Sequence, residues 1–446
     1  MSTEIATQLA KFAVETKYPQ IQEDVIEFAK ALALKIVAGM VAGSAFPSSR
    51  KITKIIKDRK LPGEVGVIGC GFKTSLWEAV LLNSFFAHAS ELEDDSFGQG
   101  LSWDITVIPL LFPLAQYLRL SGKALTEALV VGLEVHSRTC IFPTEHLGLQ
   151  LFNGAMGPAA AAARAIGLSV KETISALGLS MSAPALATTS FGTEAHYFES
   201  SLQSLQGMMA ADMAKAGMSG NPDIIEYLSG LLGKEKIIPD KIVESLGKQW
   251  AFRNIWIKKY PCCFFLHRAI DILLELRKQN DLSYEKVEKI EVHINPFEEI
   301  CNRPEVNTLG DLQFSFQHIL GCALLDGDVN FTHVDPDILF NARYREARSK
   351  VRVISHSDWP IQHMGSPALL TVRTKDGKDF SGKRMHSIGS TKEPLTIKQF
   401  RELYSKFTRR VLTEEQIEKT AEAVLNLEKL NDVEELMDIL TFRPKI

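Results

Sequence analysis

The chain is organised around residues 86–109, FAHASELEDDSFGQGLSWDITVIP, which place four carboxylates between two apolar flanks. These carboxylates belong to Glu91, Glu93, Asp94 and Asp95. They repel one another, and burial of any of them raises its pKa. Such a cluster near a core is therefore either solvated or used in chemistry. The structural alternative is an acidic first turn of a helix, where carboxylates complement the helix dipole.

Length and composition narrow the class of protein. At 446 residues the chain exceeds one ordinary core, so two domains are expected. It is 45% hydrophobic and 23% charged with a net charge of −4, which is typical of a globular protein and argues against a nucleic-acid partner. The six cysteines show no CxxC or Cys/His ligand spacing, which predicts free thiols and no metal site.

The start of the chain predicts an amphipathic helix, because acidic and basic residues alternate with apolar ones in MSTEIATQLAKFAVETKYP. A signal peptide would instead show a charged segment followed by an apolar core. The apolar run 31–46 is interrupted by Lys35 and is too short to cross a bilayer. The sequence therefore predicts a cytoplasmic protein without a membrane partner.

Helical periodicity dominates the first 265 residues. The alanine-rich run 154–166 predicts closely approaching helices, because small side chains allow close packing. Ser169 is a predicted N-cap of the helix that follows. From Thr396 the pattern is helical again, and Thr413 with Gln416 forms a predicted capping box.

Residues after about 284 change in character. Apolar and polar residues alternate at period two in 289–294, 349–354 and 368–374, and Asp376-Gly377 predicts a hairpin turn. The predicted fold is mainly α, with a large all-helical domain and a smaller α+β domain that carries an antiparallel sheet. We expect the helical domain to be discontinuous, comprising residues 1–265 with 396–446, and the smaller domain to comprise 270–395.

Three histidines stand in contexts that chemistry could use. His196 follows a Ser/Thr-rich stretch in a predicted loop with aromatic neighbours, His318 lies in an apolar helix, and His146 lies in a predicted loop. The structural alternative for each is a hydrogen-bonded core histidine. Lys258 and Lys259 lie between Trp and Tyr rather than in a charged run, so one of them is expected to face a cavity. No nucleophile elbow, phosphate loop or dinucleotide fingerprint is present, and the profile is that of an acid–base enzyme acting on a small polar molecule.

Several short segments follow one another in an order that is more specific than any one of them. They are HASELEDD (88–95), VIP (107–109), GAMGPAAAAA (154–163), FGT (191–193), KKYPCC (258–263) with His267 and AID (269–271), SFQHI (315–319) with ALLDG (323–327), and GSTKEPLT (389–396). This order resembles the MmgE/PrpD family, which includes 2-methylcitrate dehydratase, cis-aconitate decarboxylase and iminodisuccinate epimerase. The resemblance covers nearly the whole chain. It implies a large helical domain with an α+β lid, a homodimer, and no organic cofactor or metal cluster.

The resemblance also assigns site positions. Lys258 matches the family lysine and Glu91 its first acidic position, whereas the lysine that follows the family's FGT segment falls on His196. The remaining family site groups fall on or near residues of other types: Ser102-Trp103 for the first His-Pro pair, Gly148 near His146 for the second, and His318 for a tyrosine. A site with fewer cationic groups binds fewer carboxylates.

These observations favour an acid–base enzyme that removes a proton beside a carboxylate of a small carboxylic acid. A hydro-lyase (dehydratase) is the first choice, an epimerase or a decarboxylase is the alternative, and a carboxylate-binding protein without turnover is the second alternative. We expect Lys258 to anchor a carboxylate or stabilise enolate-like charge. The acid–base groups would come from His196, His318 and Asp95. The predicted substrate-binding residues are Glu91, Ser102, Asp104, His146 and His267.

Overall fold

The computed structural model of the chain describes residues 4–96, 102–140, 151–152, 155–182, 185–186, 190–233, 237–360 and 366–442. Helices make up most of this structure, as the periodicity predicts. The α-helices are α1 Glu4–Glu15, α2 Glu23–Gly43, α3 Pro47–Asp58, α4 Leu76–Ala89, α5 Asp104–Leu118, α6 Gly122–Thr139, α7 Met156–Ile166, α8 Val170–Leu179, α9 Glu194–Lys215, α10 Ile224–Leu232, α11 Pro239–Val243, α12 His267–Gln279, α13 Leu309–Gln313, α14 Phe316–Asp326, α15 Pro336–Leu339, α16 Ala342–Ser349, α17 Ile397–Thr408, α18 Glu414–Leu425 and α19 Glu434–Leu440.

The strands are fewer and mostly short. They are β1 Val65–Gly66, β2 Lys73–Thr74, β3 Asp95–Ser96, β4 Leu151–Phe152, β5 Ala185–Leu186, β6 Ile255–Trp256, β7 Val287–Ile294, β8 Val351–Ser355, β9 Ala368–Thr374 and β10 Asp379–Arg384. The last four form one sheet in the order β10-β9-β7-β8, and the others pair as two-stranded ribbons.

Helix α2 is the centre of the larger core. Its residues from Ala29 to Gly43 are all buried, and they include the charged side chains of Lys30 and Lys35. Helices α4 and α5 pack on it from the N-terminal part of the chain, and α17 and α18 pack on it from the C-terminal part. The helices after residue 396 thus share a core with the first helices, although the division into the two predicted domains stays a prediction.

The alanine-rich helix α7 packs closely on α6. A Cβ atom on Gly157 would lie 2.1 Å from the Cβ atom of His136, and one on Gly132 would lie 2.6 Å from the Cβ atom of Ala161. Such distances are far below van der Waals contact, so the two backbones can approach this closely only because glycine stands at both positions. The expected close packing of this helix is confirmed.

The four-stranded sheet has helices α12 and α14 on it. Its apolar residues, among them Ile290, Leu370 and Val372, form a second core with Ile270 and Leu273 of α12. The alternation of buried and half-buried residues along β9 and most of β7 agrees with the period-two pattern. The expectation of an antiparallel sheet is wrong in one respect. Strand β8 pairs with β7 in parallel, because helices α13 to α16 lie between them in the chain, so the sheet is mixed.

Several local predictions are confirmed. Ser169 accepts a hydrogen bond from the Glu172 amide at the start of α8, and Thr413 with Gln416 forms the capping box of α18. Asp376-Gly377 is the turn between β9 and β10, with Gly377 at a positive φ of 84°. Within the described ranges, no helix is both long enough and apolar enough to cross a bilayer.

Candidate active site

The ribbon of β3 and β6 builds the centre of the candidate site. Asp95 pairs with Trp256 in antiparallel register, and this pairing brings the acidic segment 91–95 against residue 258. The Lys258 amide donates to Asp94 Oδ1 at 2.8 Å. The acidic segment is therefore not the first turn of a helix. It follows the C-terminus of α4, and all four of its carboxylates lie in buried residues.

Lys258 is a buried ammonium held by two carboxylates. Its side chain is 2% exposed, and its Nζ lies 3.1 Å from Glu91 Oε2 and also contacts Glu93 Oε1. Lys259 points the other way and pairs with Asp271 at 3.1 Å with a fifth of its side chain exposed. One lysine of the pair is thus buried against carboxylates, and the expectation that it faces a cavity stays a prediction.

A second buried ion pair lies beneath the first. Lys35 of α2 contacts Asp94 Oδ1 and the carbonyl oxygen of Leu92. Asp104, the first residue of α5, accepts the Asp94 amide at 3.1 Å and the Ile105 amide at 2.9 Å. Asp94 therefore links α2, α5 and the backbone of residue 258.

Two histidines lie on the other side of Glu91. His88 of α4 and His196 of α9 face each other with their Nε2 atoms 3.1 Å apart, and His196 Nε2 lies 3.6 Å from Glu91 Oε1. His196 Nδ1 lies 3.2 Å from Glu199 Oε2, one turn later on α9. The prediction of a loop around His196 is wrong, because Thr193 caps α9 and places this histidine in its first turn.

Burial and neighbouring charge shift several pKa values in this cluster. Burial, reinforced by Glu91 and opposed by Lys258, raises the pKa of Glu93 to about 8. Burial opposes protonation of Lys258, but the carboxylates of Glu93 and Glu91 outweigh it and raise the pKa of this lysine above its ordinary value. Burial lowers the pKa of Lys35 to about 7 and raises that of Asp104 to about 7. The ammonium of Lys258 is therefore the permanent positive charge of the described site.

A cavity of about 360 Å³ lies at the start of α9, where Thr193 and Glu194 are part of its lining. Tyr197 and Gln313 line it, and the Tyr197 hydroxyl donates to Gln313 Oε1 at 2.8 Å. Gln313 Nε2 donates to the carbonyl oxygen of Ala89 at 3.2 Å. The wall of this cavity is thus connected to the site through Tyr197, the neighbour of His196 in α9, and through Gln313, which binds the residue after His88.

The segment that carries Lys258 is held from its other side by the loop at Gly389. The Ile257 amide donates to the Gly389 carbonyl oxygen at 2.9 Å. Gly389 has a φ of 100°, and a Cβ atom there would lie 2.6 Å from the Ile257 carbonyl oxygen. Only glycine fits this conformation and this approach, which gives the GSTKEPLT segment a physical role.

The structure places the remaining predicted site residues as follows. Ser102 is buried just before α5. His267 starts α12, stacks on Phe264 at 4.7 Å, and has its pKa held well below its ordinary value by burial and then by the charge of Lys258. Asp95 is buried in β3, and the ammonium of Lys258 binds the nearby Glu91 and Glu93. His146 lies outside the described residues.

His318 lies in a different group of contacts. Its Nε2 donates to the carbonyl oxygen of His333 at 2.7 Å, and Cys322 Sγ is within 3.5 Å of the same ring atom. Burial lowers the pKa of His318 to about 3. These contacts are those of a satisfied core histidine, so its predicted acid–base role has no support from its described neighbours.

Sequence reasoning missed three residues that complete the cluster: Lys35, His88 and Glu199. Lys35 interrupts an otherwise apolar run, and by itself this position indicates only that the run does not cross a membrane. His88 begins the HASELEDD segment, and Glu199 follows His196 at a spacing of three residues, which places both side chains on one helix face. None of the three is recognisable without its distant partners.

The comparisons with known proteins agree with this architecture. The model of the MmgE/PrpD N-terminal domain matches residues 7–234, and the model of the MmgE/PrpD C-terminal domain matches residues 260–429. The chain belongs to the MmgE/PrpD family.

Its curated relatives include proteins named for one activity. A cis-aconitate decarboxylase-like protein of Aspergillus oryzae is 25% identical over 98% of this chain and 97% of its own length. The cis-aconitate decarboxylase of Aspergillus terreus is 24% identical over 98% and 96%, respectively. The human cis-aconitate decarboxylase is 24% identical over 81% of this chain and 79% of its own length.

Proposed function

We propose that this protein is an acid–base lyase that acts on a small acid with one or two carboxylates. The observation that carries the proposal is the buried Lys258 ammonium, 3.1 Å from Glu91, with His196 on the far side of that carboxylate. A buried ammonium stabilises negative charge that develops on a substrate carboxylate during the reaction. An imidazole beside it can take or deliver a proton near neutral pH. Glu91 connects the two groups.

The charge balance limits the substrate. The acidic side chains of the described cluster outnumber its two lysines, Lys35 and Lys258, even when burial keeps Glu93 and Asp104 protonated, because Glu91, Asp94 and Asp95 remain. A highly charged acid would bring further negative charge into this low-dielectric site. We therefore favour a substrate with fewer carboxylates than a tricarboxylic acid.

Decarboxylation is the first candidate reaction, because the relatives named above are cis-aconitate decarboxylases. In a dicarboxylic acid whose double bond lies β,γ to one carboxylate and is conjugated with the other, the carbon–carbon bond to the first carboxylate breaks and CO₂ leaves. The electron pair moves through the double bond onto the remaining carboxylate, where Lys258 stabilises it. A proton from His196 then ends on carbon, and solvent restores the proton of the imidazole.

Dehydration, which the sequence analysis favours, is the second candidate, since the order of short segments resembles a family that includes 2-methylcitrate dehydratase. Here a base removes the proton beside the carboxylate and a β-hydroxyl leaves as water. Both reactions require an ammonium that stabilises the carboxylate-conjugated charge. The choice between decarboxylation and dehydration stays a prediction, as do the homodimer and the cytoplasmic location.

Proton NMR in deuterated water with a panel of small acids tests the proposal. The panel comprises unsaturated and β-hydroxy mono- and dicarboxylic acids, with cis-aconitate and methylcitrate as tricarboxylic members. Gain of deuterium on carbon with CO₂ release identifies a decarboxylase, and loss of water identifies a dehydratase. Glu91→Gln keeps the shape of the side chain and is expected to lower the rate by at least about tenfold. Inertness of the wild-type protein towards every acid would contradict the proposal.

A further inference from the structure

We propose that His88, Glu91 and His196 form a binding site for one divalent transition-metal ion of the Zn²⁺ class. Each of the three offers one ligand atom, and these atoms all lie within 4.8 Å of one another. The three residues are contributed by α4, by the segment after it and by α9. The pattern of the sequence predicts no metal, because the second histidine lies 108 residues from the first and no ligand spacing reveals the pair.

Two of the three ligand-atom distances are close to those around a tetrahedral ion, and the third, between His88 and Glu91, is at most 4.8 Å. Two ligand atoms that each lie 2.0–2.1 Å from a tetrahedral Zn²⁺ are about 3.3 Å apart. The two Nε2 atoms are 3.1 Å apart, and His196 Nε2 is 3.6 Å from Glu91 Oε1. Two histidines and one glutamate are also a ligand set that zinc takes in sites with an open fourth position.

The unmet hydrogen-bonding capacity of these groups favours a cation. Glu91 Oε1 is buried and accepts no hydrogen bond from the described residues. The two facing Nε2 atoms need a shared proton to make their contact favourable when no ion is bound. A metal ion would satisfy both nitrogen lone pairs and the carboxylate oxygen together.

The surroundings support the same ligand set. Glu199 Oε2 lies 3.2 Å from His196 Nδ1, so this carboxylate orients the ring with Nε2 towards Glu91. Without Glu93 and Asp104, the three acidic residues Glu91, Asp94 and Asp95 still outnumber the two lysines of the described cluster, which also favours a cation over a neutral or anionic occupant. Lys258 binds Glu91 through Oε2, which leaves Oε1 to the ion.

The metal site rests on the proposed function in one respect, because it shares Glu91 and His196 with the acid–base site. A bound ion would therefore regulate the reaction. An imidazole nitrogen bound to a metal cannot carry a proton at the same time. Zinc is therefore expected to slow proton exchange by the wild-type protein, and removal of zinc by a chelator is expected to restore it.

Direct binding tests the site without turnover. Tag-free protein is stripped with a chelator, equilibrated with Zn²⁺ by dialysis and analysed for metal content. We expect one equivalent per chain. The variants Glu91→Gln and His88→Leu are expected to bind at least about tenfold more weakly, and Glu199→Gln roughly 10–100-fold more weakly. His136→Leu is the matched control, because His136 is equally buried but bonds to Thr106 at 2.9 Å outside the cluster.

A cobalt spectrum keeps the test decisive if a variant does not fold. Co²⁺ in this site should give the intense visible bands of tetrahedral nitrogen and oxygen ligation, without the charge-transfer band of a thiolate. A thiolate band, or equal binding by wild type and Glu91→Gln, would assign the metal to cysteines or to the surface and overturn the inference. Absence of binding to the wild type would also overturn it. Proton exchange by the metal-free protein would leave the proposed function intact in each of these cases.

Discussion

The Nζ atom of Lys258 lies 3.1 Å from Glu91 Oε2, although 167 residues separate the two in the chain. Both side chains are at most 2% exposed. Desolvating two such charges costs several kcal/mol per ion unless each is compensated. The fold compensates them with Glu93 on the lysine and with the imidazole of His196 near the glutamate. This arrangement is built by the ribbon of β3 and β6.

The buried pair of Lys35 and Asp94 is expected to make a large contribution to stability. Lys35→Met leaves Asp94 as an uncompensated buried charge, and we expect the free energy of unfolding to fall by about 3–5 kcal/mol. The double variant Lys35→Met with Asp94→Asn should lose less free energy of unfolding than the two single variants lose in sum, because the two removed charges are partners. Urea denaturation of the two single variants and the double variant measures this coupling.

An exposed pair serves as the control. Lys54 and Asp58 lie 2.5 Å apart on α3 with most of each side chain exposed. The corresponding changes there should alter stability by no more than about 0.5 kcal/mol. Strict additivity of the Lys35 and Asp94 changes would contradict the account of the buried pair.

Much of the fold follows from local signals, and most of the site does not. The caps at Ser169 and Thr413 and the turn at Asp376-Gly377 depend on residues within three or four positions of each other, so the sequence reveals them. The contacts of Lys35 with Asp94 and of Lys258 with Glu91 join residues 59 and 167 positions apart, and no spacing encodes them.

Two incorrect expectations have the same cause. His196 follows a stretch rich in serine and threonine, which suggested a loop, but Thr193 begins a helix that α4 and α7 cover. The apolar and polar residues of β8 alternate, which suggested an antiparallel strand. The helices between β7 and β8 instead bring β8 back parallel to β7. In both cases tertiary packing decides between conformations that the local pattern leaves open.

Asp104 is expected to make stability depend on pH between about 4 and 7. Its pKa is raised from 3.8 to about 7 by burial, so in this range the native state holds a proton that the unfolded state has released. The contribution of Asp104 to the free energy of unfolding of the wild-type protein therefore falls as the pH rises, by at most about 1.4 kcal/mol per pH unit. Asp104→Asn removes the titration but keeps an oxygen that can accept the amides of Asp94 and Ile105.

The stability of Asp104→Asn relative to wild type should thus increase from pH 4 to pH 7. Thermal unfolding at several pH values measures this difference. Asp376→Asn is the control, because the pKa of that exposed carboxyl is lowered to about 2 and does not titrate in the window. Parallel pH profiles for wild type and Asp104→Asn would show that this carboxyl is not buried in its protonated form.

Gly389 is expected to control the position of Lys258. An alanine there would have a positive φ and a Cβ atom 2.6 Å from the Ile257 carbonyl oxygen. We expect Gly389→Ala to lower stability by more than about 1 kcal/mol and to lower the rate of proton exchange, since Ile257 precedes the lysine. Gly377→Ala is the matched control, because its φ is also positive but open space surrounds it.

Gly377→Ala should therefore show a smaller loss of stability and an unchanged exchange rate. Measurement of melting temperature and exchange on both variants separates backbone strain from the displacement of residue 258. Equal effects of the two variants would mean that the contact between residue 389 and Ile257 affects neither the stability nor the exchange rate.

The rate of solvent-deuterium incorporation into a small carboxylic acid, compared between Lys258→Met and Lys259→Met, tests the central claim most directly. Both variants remove one ammonium from adjacent residues, but only Lys258 is buried with Glu91 and Glu93. The account predicts that Lys258→Met loses at least about a hundredfold in rate while it stays folded by circular dichroism, and that Lys259→Met keeps nearly the wild-type rate. Equal rates for wild type and a folded Lys258→Met would show that this lysine takes no part in the chemistry and would contradict the account.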